Sequence, residues 1–185
     1  MNKKEYDSLT YRETLKFHDE MRAEIYRDLE REFTSLGIKV REITFSDVSE
    51  AVSWKAKWKQ PGRAAIWNWK QLYNEYHSRS GSRRLDLAIT KNNILLGLVY
   101  GMLERNRLIL KVHAMEANPQ NNPIAGKMLD MTLYAASVYA LVNDTSEIWL
   151  CSPVSPAHTR LYQGRGYKPY YDRFDKCTHL IKRLV

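Results

Sequence analysis

The chain has 185 residues, of which 44% are apolar, enough for one domain with a buried core. Its net charge of +8 favours anionic partners, but a nucleic acid, an acidic protein, a nucleotide cofactor and a basic surface without a specific partner all fit it. No apolar run is long enough to span a bilayer and the N-terminus lacks the apolar core of a signal peptide, so we expect a cytoplasmic protein with no membrane contact.

The two cysteines do not indicate a disulfide framework or a zinc site. Cys151 and Cys177 have neither a second pair nor a CxxC spacing. We therefore interpret both as small residues in or near the core, and we expect no metal.

The first predicted element is a long amphipathic helix over about residues 8–36, which Gly37 can end. Its apolar stripe must be buried against the same chain or a second copy, so a monomer and a homodimer are both open. We divide the chain into an N-terminal helical extension, residues 1–37, and a domain, residues 38–185. The stripe consists of Leu15, Met21, Ile25, Leu29, Phe33 and Leu36.

A strand is expected next, from Ile38 onward, with Ser46 or Asp47 as the cap of the following helix. Residues 53–76 are then rich in tryptophan and lysine, and Pro61-Gly62 splits them into two short helices. Tryptophan at helical spacing is more often core than ligand site. The alternative is an aromatic and basic platform for nucleobases or an extended substrate, with Trp58 and Trp67 as binding residues.

Three strands follow the polar loop at residues 77–84 and predict an antiparallel meander: residues 85–89, 94–103 and 107–114. A helix is predicted from Pro123 to about residue 143, with Asn122 as its N-cap. A helix start of this kind binds anionic oxygens such as those of a pyrophosphate. A strand at residues 147–151, a short helix and two closing strands at residues 167–172 and 177–184 complete the pattern.

The segment from Ser155 to Tyr167 carries the most specific motif. It resembles the "N-x-x-A-x-x-L-Y-x-x-x-G-F" tail of the Gcn5-related N-acetyltransferase (GNAT) superfamily: Tyr162, Gly166 and Tyr167 fit, while Ser155 replaces the asparagine and His158 the alanine. The first strand is also similar to that family's "I-R-x-A-T-x-x-D". Its matching residues are Arg41, Thr44 and Asp47.

The resemblance implies an α/β (α+β) fold, in which a mixed, mostly antiparallel sheet is flanked by helices, here with an extra N-terminal helix. It also implies acetyl-CoA as the cofactor and an amine on a small molecule, a protein or an aminoacyl-tRNA as the acceptor. The family's phosphate loop is degenerate here, because Ile124 stands at its first glycine. The implied coenzyme A contacts are Val112, Ala114, Asn121, Asn122, Ala125, Gly126, Lys127, Ser155 and His158.

Acetyl transfer from a thioester to an amine needs a donor for the carbonyl oxygen, a base for the amine and an acid for the departing thiolate. The resemblance assigns the acid role to Tyr162. His113 and Glu116 are the candidate bases, with Glu104 or an ordered water as alternatives. His158, one turn before Tyr162, could touch the cofactor or tune the tyrosine, or be a surface residue.

Two other functions remain open from the sequence. The domain could be a catalytically degenerate interaction module that keeps the fold. Alternatively, the segment rich in tryptophan and lysine could bind nucleic acid.

Overall fold

The structure, a computed structural model, describes residues 6–57, 67–79, 83–104, 108–120, 122–153 and 155–184. These residues form one seven-stranded sheet in the order β1-β2-β3-β4-β5-β7-β6. Every neighbouring pair is antiparallel except β4 and β5, which are parallel. The strands are β1 (Lys39–Glu42), β2 (Arg84–Lys91), β3 (Ile94–Leu103), β4 (Ile109–Ala117), β5 (Glu147–Cys151), β6 (Lys168–Tyr171) and β7 (Cys177–Arg183).

Helices cover both faces of this sheet. The helices are α1 (Tyr11–Phe33), α2 (Phe45–Lys57), α3 (Trp69–Arg79), α4 (Met128–Val142) and α5 (Pro156–Gln163). Apolar residues of α1 and α4 form one core with one face of the sheet, and those of α2 and α3 form a second core with the other face. The predicted mixed sheet flanked by helices is confirmed. No helix in the ranges given above is long and apolar enough to cross a membrane.

The predicted N-terminal helix is present. Thr10 and Glu13 form a capping box at its start, with the Thr10 N–H donating to the Glu13 carboxylate at 2.8 Å. A 3₁₀ turn (Thr34–Leu36) follows α1, and Gly37 ends it in the left-handed conformation, with φ of +65°. From Met21 to Leu36, the predicted apolar stripe packs on its own chain.

A cluster of paired charges fixes α1 to the edge of the sheet. The Arg22 side chain is 1% exposed, and its Nε lies 2.8 Å from a Glu42 oxygen and 3.5 Å from an Asp86 oxygen. Arg84 contacts the other oxygen of each carboxylate, at 2.9 Å from Asp86 and 3.3 Å from Glu42. Buried charges require such partners because desolvation is costly.

The hydroxyl of Tyr26 completes this attachment at the edge of β2. β1 ends at Glu42, opposite Leu87, so it does not reach the backbone of Asp86. There the Tyr26 hydroxyl donates to the Asp86 carbonyl at 3.0 Å and accepts from the Asp86 N–H at 3.1 Å. A side chain of α1 thus takes the place of a missing strand residue.

The predicted cap of α2 is wrong by a few residues. α2 begins at Phe45, so neither Ser46 nor Asp47 precedes it. Instead, the Thr44 hydroxyl accepts from the Asp47 N–H at 3.3 Å, and the Asp47 carboxylate accepts from the Thr44 N–H at 2.8 Å. Asp47 also binds Arg41 through two hydrogen bonds, at 2.5 and 2.7 Å. The three residues that matched the family's first strand therefore form one linked group.

Two boundaries around the predicted phosphate loop are also wrong. β4 continues to Ala117 rather than ending at residue 114, and α4 begins at Met128 rather than at Pro123. Asn122 does not cap the helix, because its side-chain N–H donates to the Leu96 carbonyl at 2.8 Å and its side-chain oxygen accepts from the N–H of Ile124 at 3.1 Å. These bonds hold residues 123–127 as a turn before the helix.

Candidate active site

β4 and β5 separate near the middle of the sheet. Their parallel pairing ends at Val112 and Leu150, although β4 continues for five more residues. On its other side, β4 pairs Val112 with Gly101 and Ala114 with Tyr100, which leaves His113 as an extra, bulged residue. A β-bulge bends its strand and breaks the ladder locally, and this bend accompanies the separation of the two strands.

The separation opens a cleft of about 70 Å³. Six of the predicted site residues line this cleft: Trp67, Val112, His113, Ala114, His158 and Tyr162. Of these, Trp67 belongs to the segment just before α3. The sequence did not predict the other lining residues, because apolar and small residues at strand ends carry no chemical signature. These residues are Met115, Leu150, Cys151, Ser152 and Pro153.

The short helix α5 aims two ring side chains at the cleft. Ser155 caps it, with its Oγ accepting from the His158 N–H at 3.4 Å and lying 2.8 Å from Nδ1 of the same histidine. His158 and Tyr162 are four residues apart and so share a face of the helix. Burial raises the pKa of Tyr162, which keeps its hydroxyl protonated near neutral pH and able to donate.

His113 lies on the face of the sheet that α3 covers. Its ring centroid is 5.8 Å from that of Tyr76 on α3. Burial, followed by the nearby Lys111 ammonium, lowers the pKa of His113. The imidazole is therefore neutral at physiological pH and can accept a proton.

The two glutamates considered as bases occupy different positions. Glu116 lies inside β4, not in a loop, and is 8% exposed. Its carboxylate accepts a 2.5 Å hydrogen bond from the Trp69 indole, and it is not among the residues that line the cleft. Glu104 forms an ion pair with Lys111, whose hydrogen bond lowers the pKa of the Glu104 carboxyl.

The cleft also contains a thiol. Burial raises the pKa of Cys151 to about 11, so this residue is a neutral thiol at physiological pH. Both cysteines are free, and their partial burial agrees with the interpretation as residues near the core.

The predicted phosphate contacts lie outside the cleft. Ala125, Gly126 and Lys127 are exposed in the turn before α4, and a Cβ added at Gly126 would meet no atom within 4 Å. Asn122 borders a wider depression of about 680 Å³ that also contacts the β2–β3 turn. The ion pair between Asp130 of α4 and Arg165 ties the beginning of α4 to the end of α5.

The tryptophan-rich segment is divided between core and cleft. Trp54 and Trp69 are buried in the core under α2 and α3, which supports the packing interpretation for these two. Trp67 is half-buried and lines the cleft. Trp58 and Asn121, predicted to contact substrate and coenzyme A respectively, lie outside the described residues.

No protein-family profile matches the chain. A search of curated sequences also finds no similar protein. Several solved acetyltransferase structures resemble it. A GNAT-family acetyltransferase from Staphylococcus aureus Mu50 superimposes with a TM-score of 0.62 at 12% identity, covering 80% of this chain and 99% of that one.

Two further structures agree. The PaiA N-acetyltransferase of Thermoplasma acidophilum, solved with coenzyme A, superimposes with a TM-score of 0.55 at 15% identity, covering 79% of this chain and 98% of that one. A spermidine N-acetyltransferase SpeG variant from Vibrio cholerae superimposes with a TM-score of 0.56 at 13% identity, covering 80% of this chain and 94% of that one. The chain therefore has the GNAT fold, as its first strand and tail predicted.

Proposed function

We propose that this protein is an acetyl-CoA-dependent N-acetyltransferase that transfers the acetyl group directly to a primary amine. The observation that carries the proposal is the cleft between β4 and β5, where the bulge at His113 frees backbone from pairing and α5 presents Tyr162. The structural similarity to a protein solved with coenzyme A supports it.

The bulged stretch of β4 would act on the thioester carbonyl. As the amine attacks the carbonyl carbon, negative charge develops on the carbonyl oxygen, and fixed backbone N–H groups stabilise such charge effectively. Val112, His113 and Ala114 provide backbone at the wall of the cleft. An N–H group that no neighbouring strand engages is available for this role.

The proton balance follows from two side chains. The attacking amine forms the new N–C bond and loses one proton, which His113, directly or through a water, can accept because its lowered pKa keeps it neutral. The C–S bond breaks, and the thiolate takes one proton from the Tyr162 hydroxyl. The products are the amide and coenzyme A.

The remaining predicted contacts would hold the cofactor. Ser155 and His158 stand at the beginning of α5, and His158 lines the cleft. The exposed turn formed by residues 125–127 presents Lys127 and the first N–H groups of α4, which suit a pyrophosphate. Here Lys127 would supply the positive charge that the degenerate loop otherwise lacks.

Calorimetric titration with acetyl-CoA and with coenzyme A tests the proposal, followed by measurement of thiol release with a panel of amines. We expect saturable binding of both ligands and amine-dependent release. Absence of binding would exclude the enzyme. Binding without turnover over the whole panel would favour a non-catalytic interaction module that keeps coenzyme A as a ligand.

A further inference from the structure

One face of the sheet continues beyond the helices that cover its first half. Leu150 and Leu180 point into the core with α4, so the alternate residues of β5 and β7 lie on the opposite face. Among the described helices, α2 and α3 pack over β2, β3 and β4 on that face. Three side chains lie next to the covered part, and we call them the platform: Lys111, Trp149 and His179.

Direct contacts join the members of the platform. Lys111 pairs in register with Trp149, and its ammonium lies 5.5 Å from the indole centroid, in the range of a cation–π contact. The ring of His179 meets the same indole edge to face at 5.1 Å. The result is a pair of aromatic rings, set edge to face, with a cation beside the indole.

The platform is continuous with the cleft. Cys151, which lines the cleft, pairs in register with His179. Lys111 precedes His113 by two residues on β4, a separation of about 7 Å along a strand. An acceptor whose amine reaches the cleft from this face would therefore pass over Trp149 and within reach of Lys111.

The carboxylates beside the platform are already paired. Glu104 binds Lys111. Glu147 accepts from the Trp149 indole at 2.8 Å and from Arg183 at 3.1 Å. Glu75 on α3 accepts from Gln71 at 2.9 Å. A lysine ammonium has three N–H donors, so Lys111 can serve Glu104 and one more anion.

The charge of Lys111 acts on two histidines of this face, His113 and His179. After burial, Lys111 is the main cause that lowers the pKa of His113, and it also lowers the pKa of His179. The charges of Glu104 and Glu75 raise the pKa of His113, but the pKa remains below its ordinary value. Lys111 therefore brings a positive charge to this face, which attracts an anion and disfavours a polycation.

We propose that the acceptor is an amine that also carries a carboxylate or phosphate and an apolar or planar body, with Lys111 binding the anion and Trp149 the body. This inference rests on the proposed function. A linear polyamine would meet the Lys111 ammonium there, and the neighbouring Glu104 and Glu147 already bind cations of this chain. The acceptor class would thus differ from that of the spermidine N-acetyltransferase that shares the fold.

Matched pairs of acceptors that differ only in the anionic group test this proposal. The pairs are phenylalanine with phenylalaninamide and phosphoethanolamine with ethanolamine, with spermidine as the polycation. We expect kcat/KM to be at least about tenfold higher for the anionic member of one pair, the difference one charge-assisted hydrogen bond produces. The preferred pair identifies the anion as a carboxylate or a phosphate. Spermidine should be the poorest acceptor.

Variants of Lys111 separate recognition from folding. Lys111→Met should lower kcat/KM for the anionic acceptor to the level of its neutral partner, while Lys111→Arg retains most of the preference. Lys39→Met, at an exposed position on β1 at the other end of the sheet, is the matched control and should change neither value. An equal loss for both members of a pair would assign Lys111 a structural role and overturn the proposal.

The outcomes distinguish this inference from the proposed function. If the protein binds acetyl-CoA and prefers spermidine, or treats both members of each pair alike, the acceptor class is wrong while the acetyltransferase assignment stands. If acetyl-CoA does not bind in calorimetry, both fail.

Discussion

Strand pairing ends early at two places in the sheet, and different groups occupy the two gaps. At the end of β1, the Tyr26 hydroxyl replaces the missing strand at Asp86, and paired charges surround the junction. At the separation of β4 and β5, none of the described strand residues closes the gap, and titratable side chains line it. The first junction contributes to stability, whereas the second leaves polar groups available for chemistry.

The largest effect is expected from breaking the first junction. Asp86→Ala removes the buried one of the two carboxylates that Arg22 and Arg84 share, so we expect a loss of about 3–5 kcal/mol in the free energy of unfolding, measured by urea denaturation. Asp28→Ala, which breaks the exposed pair with Arg31, should cost less than about 1 kcal/mol. Similar losses for the two variants would contradict the anchoring role of the cluster.

Removing the proposed acid, Tyr162, should lower the activity of the cleft between β4 and β5 without lowering stability. Tyr162→Phe keeps the ring but removes the proton donor, so we expect turnover to fall by about a hundredfold. The Kd for acetyl-CoA and the Tm should change little. Tyr134→Phe, on the exposed side of α4, is the matched control and should be as active as the unaltered protein. An unchanged rate for Tyr162→Phe would show that the thiolate obtains its proton elsewhere.

Asp47, which binds Arg41 of β1 and Thr44 just after it, should make the stability of this end of the sheet depend on pH. Burial opposes ionisation, but hydrogen bonds from Arg41 and Thr44 lower the pKa of Asp47 overall. Its contribution is therefore complete above the ordinary value of 3.8 and is lost as pH falls through the lower, folded value. Asp47→Asn should cost about 1–2 kcal/mol at pH 7 and less at pH 3. Thermal denaturation at the two pH values measures this, and an equal loss at both would contradict it.

His113 should produce the smallest of these effects, and it appears in the pH profile of the reaction. Because its pKa is lowered, the neutral, proton-accepting form persists to below pH 6.5, and kcat/KM should rise with pH through that lowered value. His113→Gln should reduce kcat/KM about tenfold and remove this acidic limb. A limb that survives the substitution would assign the proton to another group.

The sequence predicted the parts of this molecule that local patterns control. The N-terminal helix follows from its repeated apolar positions and from Gly37, and the Arg41, Thr44 and Asp47 motif corresponds to a real network. Ser155, the first residue of the tail motif, is the N-cap of the helix that carries Tyr162. Each of these features depends on residues close together in the chain.

The features that the sequence did not reveal depend on contacts between distant residues. The extension of β4 through Glu116 is fixed by pairing with β3 and by the Trp69 indole, 47 residues away. Asn122 resembled a helix cap, but the Leu96 carbonyl engages its side chain. The bulge at His113 exists only in relation to Tyr100 and Gly101 on another strand. No periodicity within one segment encodes such relations.

The parallel pairing of β4 with β5 also determines when the cleft can form during folding. Each strand of the β2 to β4 meander pairs with the next strand in the sequence, whereas Ile109 meets Glu147 only after the intervening chain has folded back through α4. Contacts distant in sequence form late because their loop-closure entropy must be overcome first. We therefore expect backbone amides of β5 to gain protection after those of β3 in pulse-labelled hydrogen exchange. A chain emerging from the ribosome would possess its meander before it could bind any ligand between β4 and β5.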